Sequence, residues 1–129
     1  MPNISSGINV DSNFLNLKSM EIKEVRPEVE KLLIDGEKIM YAFKTIRDQV
    51  VFTSNRIFVV NVKGVTGKKI AYFSYPYSKI QYYGIETAGF LDIDSELLIT
   101  FSNGHILQFD FKSNVDIRMI NSLISKYVL

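Results

Sequence analysis

Gln49-Val50-Val51-Phe52-Thr53-Ser54-Asn55-Arg56-Ile57-Phe58-Val59-Val60-Asn61-Val62 decides the fold. Val50–Thr53 and Ile57–Val62 are runs of β-branched and aromatic residues, which suit a pleated and largely buried surface. Ser54-Asn55 between them is a pair whose side chains readily bond their own backbone, and it reads as a tight turn. Two strands joined this closely must run antiparallel, because a parallel return needs a crossover of a dozen residues or more.

The same logic extends in both directions. Downstream, Gly64 to Gly67 makes a second hairpin turn, since glycine supplies the positive φ that such turns need. Ile70–Tyr75 is a strand stopped by Pro76, and Ile80–Glu86 is another. Thr87 to Asp94 reads as a loop, Glu96–Phe101 as a strand, Asn103-Gly104 as a strong hairpin signal and His105–Phe111 as the last strand. Upstream, Ile39, Tyr41 and Phe43 alternate as a strand would, and Arg47-Asp48-Gln49 is a polar break. The count is seven strands.

Helices flank this meander. Pro27 suits a first helical turn, and Val29, Leu32 and Leu33 follow on one face, so a short helix is expected over Pro27–Ile34, closed by Asp35-Gly36. After Val115, the residues Ile117, Ile120, Leu123, Ile124 and Tyr127 recur at steps of three and four, the pattern of an amphipathic helix. Ser113 or Asn114 could cap it, and Asp116 would favour its positive end. Residues 1–16, rich in Asn and Ser, read as a loosely held N-terminal arm, with 17–129 as a single domain. A curling meander with one mouth to cover would use the terminal helix as its lid.

Composition narrows the function classes. The chain has 129 residues and no cysteine, which removes disulfides, thiol catalysis and thiolate metal ligands. Fifteen basic against 14 acidic residues show none of the basic excess that phosphate recognition requires, so nucleic acid is not expected as a partner. The first ten residues lack the basic and apolar blocks of a secretory leader, and no apolar run approaches the about 18 residues that span a bilayer. A cytoplasmic protein is the expectation.

Six stretches then occur in one order. They are Leu33-Ile34-Asp35-Gly36-Glu37-Lys38-Ile39, Arg47-Asp48, Phe52-Thr53-Ser54-Asn55-Arg56-Ile57, Gly64-Val65-Thr66-Gly67-Lys68-Lys69, Tyr75-Pro76-Tyr77-Ser78-Lys79-Ile80, and the run from Ile85 to Leu97. Together they resemble the bacterial pleckstrin-homology-like family, over a span from about Glu30 to the C-terminus. The resemblance implies a mainly β fold, a partly open barrel of pleckstrin-homology type capped by the C-terminal helix. It also implies copies assembled into cyclic rings, with five as the expected number, and no enzyme activity.

The candidate chemistry is sparse. Asp92, Asp94 and Glu96 alternate like the first ligands of a calcium loop, but Leu97 and Asn103 stand where the loop needs glycine and glutamate. Gly64 to Lys69 lacks the spacing of a phosphate loop and returns to a strand, so a lysine-tipped hairpin is the better reading. His105 is the only histidine and has no evident partner for zinc or for a nucleophile. No metal or cofactor is expected. Many eukaryotic pleckstrin-homology domains hold phosphoinositides with basic residues of the first hairpin, whereas here that hairpin carries only Arg47 beside Asp48.

Arg47, Asp48, Arg56 and Glu86 stand at strand ends, where mixed charges either pair locally or bridge protomers. With Lys68, Lys69, Asp92, Asp94 and Glu96 they are the candidate oligomer and partner surface. Of Tyr82 and Tyr83, alternation sends one outward. The leading reading is a non-catalytic, self-assembling scaffold that presents a polar surface to another protein. A peripheral membrane or lipid-headgroup module is the alternative, although a membrane is not an expected partner.

Overall fold

The computed structural model describes residues 12–87, 94–112 and 115–129. Their element order is β1 (Ser12–Met20), α1 (Pro27–Leu32), β2 (Ile39–Lys44), β3 (Gln49–Thr53), β4 (Arg56–Lys63), β5 (Lys69–Pro76), β6 (Ile80–Glu86), β7 (Ser95–Phe101), β8 (Ile106–Phe111) and α2 (Ile117–Val128). The chain divides into two compact units, one of residues 19–77 and one of residues 1–18 with 78–129.

In the unit of residues 19–77, β2 to β5 form an antiparallel meander. Val50 faces Val59, Val51 faces Phe58 and Phe52 faces Ile57 across the Ser54-Asn55 turn. Both runs are buried on both faces, which is why their sequence is continuously apolar rather than alternating. Val25, Val29, Ala42, Val51, Phe58 and Val60 form a core cluster, with Met20, Leu33, Ile39, Ile70 and Tyr72 packed against it. Pro27 opens α1 as expected, and the helix stops at Leu32, two residues short of the expected end.

In the other unit, β6, β7 and β8 are antiparallel and β1 lies parallel to β8. Leu97, Ile99, Leu107 and Phe109 have no exposed surface, and α2 contributes Ile117, Ile120, Leu123 and Ile124 to the buried set. Asp116 is the helix cap, accepting a hydrogen bond from the Arg118 N–H at 3.1 Å. The expected caps Ser113 and Asn114 lie outside the described residues.

Among the described residues there are thus eight strands rather than the seven expected, the additional one being β1. Residues 12–16, assigned above to the arm, form its first half. Phe14 stacks on Phe109 with centroids 5.0 Å apart, and Leu17 is fully buried. Both are anchored although three positions separate them, because the register shifts between them. Asn16 carries a φ of +60 there, a conformation asparagine tolerates better than most residues.

Among the described residues no helix is long and apolar enough to cross a membrane. The packing of α2 sets the first prediction. Replacing the fully buried Ile124 with alanine removes three carbons from a close-packed site, and the protein should lose about 2–5 kcal/mol in urea unfolding.

Candidate functional site

Glu37 is positioned by a turn in which its own N–H donates to the Ile34 carbonyl at 3.1 Å, with Gly36 at a φ of +82. Its side chain is wholly buried. The carboxylate receives Arg56 twice, Nε on Oε2 at 2.9 Å and Nη2 on Oε1 at 2.7 Å. The Thr53 hydroxyl adds a bond of 2.6 Å and the Ile34 N–H one of 3.1 Å. Arg56 also donates to the Leu32 carbonyl at 2.8 Å and to Ser74 at 3.1 Å, and its guanidinium lies 4.2 Å from the Phe58 ring centroid. Burial alone would raise the Glu37 pKa, but the hydrogen bonds from Arg56, Thr53 and Ile34 outweigh it and hold the group below its ordinary value. Arg56, a candidate surface charge, is therefore engaged within its own chain. Glu37 was missed from sequence because a glutamate after Asp35-Gly36 looks like a solvated turn residue.

Arg47 and Asp48 are also held locally. The Asp48 N–H donates to the Thr45 hydroxyl at 3.0 Å, and Asp48 Oδ1 accepts from the Val62 N–H at 2.9 Å. Arg47 Nη2 donates to the Gly64 carbonyl, tying the β2–β3 turn to the β4–β5 turn. Gly64 and Gly67 have φ of +78 and +69, so the expected glycine turn is present. Lys63, Lys68 and Lys69 are exposed around it.

In the other unit, the register places Glu86 opposite Glu96 and Glu96 opposite Asp110, a row of three carboxylates across β6, β7 and β8. Asp94 precedes β7 rather than extending it, yet it joins Glu86, Glu96 and Asp110 around a cavity of about 380 Å³ that Ser95 and Lys112 also line. Gln108 donates to Asp110 Oδ1 at 2.7 Å and to Glu96 Oε1 at 3.4 Å. Burial pushes the Asp110 carboxyl up, the Gln108 bond opposes this, and the charges of Asp94 and Glu86 push it further up. No cluster able to hold a metal occurs among the described residues. Asp92 lies outside the described residues. Tyr82 is half exposed, whereas Tyr83 shares a hydrogen bond with Ser125 of α2. His105 follows the Asn103-Gly104 turn, its N–H donating to Asn103 Oδ1 at 3.0 Å.

The family model described as a bacterial PH domain matches residues 9–128. The chain belongs to that family. The match reaches back beyond Glu30 and takes in β1. This PH domain is 36% identical over 118 residues to an uncharacterized protein, YjqA, of Bacillus subtilis, covering 90% of this chain and 94% of that one. A second uncharacterized B. subtilis protein, YozO, is 30% identical over 101 residues, covering 78% and 87%. Among solved structures, a DUF1696 family protein with a pleckstrin-homology domain from Shewanella loihica aligns with a TM-score of 0.77 at 34% identity, over 88% of this chain and 98% of that one. A pleckstrin homology domain from Shewanella amazonensis aligns with a TM-score of 0.64 at 37% identity, over 85% and 90%. The expected pleckstrin-homology fold is thereby established.

Two predictions follow from the charged groups. Glu37→Gln should cost about 3 kcal/mol in chemical unfolding, since it strands a largely buried guanidinium. Because the folded pKa of Glu37 is depressed, its contribution is complete above the unfolded value near 4.5 and is lost as pH falls through the folded one. The wild type should therefore lose its advantage over the variant on acidification. Asp110 carries the opposite sign: its raised pKa destabilises the fold at neutral pH, and the cost is relieved as pH falls through that raised value. Asp110→Asn should raise stability at pH 7 by a few tenths to about 1 kcal/mol, and the gain should vanish below about pH 4.

Proposed function

We propose that this PH domain is a non-catalytic scaffold whose copies close into a ring and present a polar surface to another protein. The observation that carries this reading is the state of the terminal strands. Among the described residues, β5 pairs only with β4, and β6 only with β7. Each leaves a row of backbone N–H and C=O groups along one edge, and such edges accept a further strand. β5 also exposes Phe73, an aromatic anchor of the kind that concentrates binding energy. A repeated contact between two different edges of identical chains is heterologous, and it closes when its rotation divides a full turn.

Arg56 is committed to Glu37, so of the candidate basic residues at strand ends Lys68 and Lys69 remain to set the register of such a contact. Reversing Arg56 would place a second carboxylate against a buried one and unfold the chain, so it cannot probe assembly. Light scattering after size exclusion is the test. A mass near five times the 14.8 kDa chain is expected, and Phe73→Glu should shift the population toward single chains while leaving the melt intact. A wild type that stays at one chain mass at high concentration would overturn the ring.

A further inference from the structure

The cavity of about 380 Å³ beside β6, β7 and β8 has a one-sided charge. Among the described residues, the carboxylates of Glu86, Asp94, Glu96 and Asp110 line it against the one ammonium of Lys112. A row of acids is by itself only a cost, since like charges opposed across strands repel. Two buried groups beside it point to a ligand. Gln108 is 3% exposed, and its Nε2 donates to Asp110 Oδ1 at 2.7 Å and to Glu96 Oε1 at 3.4 Å. Its amide therefore stands directly behind two carboxylates of the cavity, yet its Oε1 is buried with no hydrogen-bond partner. Ser95, 6% exposed, lines the cavity, and its buried Oγ likewise has no partner. Buried polar atoms are rarely left so, and these call for a donor that the protein itself does not supply.

Carboxylates and an amide oxygen are acceptors, so the matching ligand is a cation rich in N–H donors. A metal ion does not fit, because no cluster among the described residues can hold one. The cavity instead falls in the size range of pockets for small organic molecules. Neighbouring strands lie about 4.8 Å apart, and the register sets Glu86, Glu96 and Asp110 on three successive strands. Negative charge thus repeats at about that step, and ammonium groups joined by short methylene chains repeat at a similar one. Leu15, half exposed, and Phe111 add an apolar part to the lining, on which methylenes can lie.

We infer that this cavity binds a linear alkyl polyamine, with its ammonium groups on Glu86, Glu96 and Asp110 and its methylenes against Leu15. Gln108 is a positioning residue, holding the Glu96 and Asp110 carboxylates through its amide nitrogen. A basic side chain of a partner protein brings one cationic group and matches one step of the row, whereas a polyamine matches successive steps. The inference is independent of the ring, since one chain carries every named group.

Isothermal titration calorimetry with spermidine tests it. The wild type should show saturable binding that weakens as salt is raised. Butylamine, with a single ammonium group, should bind at least about tenfold more weakly, and tetraethylammonium, a cation without N–H donors, should not displace spermidine. Asp110→Asn and Glu96→Gln should each weaken spermidine binding about tenfold, the loss of one charge-assisted contact. Asp110→Asn is expected to be more stable than the wild type at pH 7, so its weaker binding cannot come from a weaker fold. A wild type that takes up no spermidine at millimolar concentration, butylamine that binds as tightly as spermidine, or an Asp110→Asn variant with undiminished affinity would overturn the inference.

Discussion

The buried carboxylate of Glu37 is the constraint around which residues 19–77 are arranged. A charge removed from water is tolerated only when it is paired and hydrogen-bonded, and here four donors converge on two oxygens. Those donors come from the segment after α1, from the end of β3 and from the start of β4. The same arginine reaches the Leu32 carbonyl and Ser74 of β5. One ion pair thus fixes the spacing of a helix end, a hairpin turn and an edge strand. Tyr77 reinforces that turn by donating its hydroxyl to the Thr53 carbonyl at 2.7 Å. Such a pair contributes little net energy relative to apolar packing. What it supplies is position, because a turn slipped by one residue would leave Glu37 without its partners.

Much of this was legible beforehand, and for identifiable reasons. The β3–β4 hairpin was readable because its apolar runs are continuous and its turn residues carry their own hydrogen-bonding chemistry. The terminal helix was readable from its period. β1 was not, because its stretch is rich in Asn and Ser and a bulge at Asn16 breaks the alternation that marks a strand. Its pairing is also parallel and distant in sequence, with Phe14 meeting Phe109. Among the candidate surface residues the chemistry was visible but the engagement was not. For Arg47, Asp48 and Arg56 a local partner and a protomer bridge were equally open from the sequence. The structure supplies local partners in Gly64, Val62 and Glu37, none of which lies near them in the chain.

Charge is unevenly divided. Residues 19–77 carry ten basic and seven acidic side chains, whereas the remainder carries five and seven. The carboxylate row of Glu86, Glu96 and Asp110 sharpens this asymmetry at a local cost, since like charges directly opposed on neighbouring strands repel. A near-neutral total therefore conceals two parts of the chain with opposite net charge, and electrostatics of this kind governs orientation and choice of partner more than raw affinity.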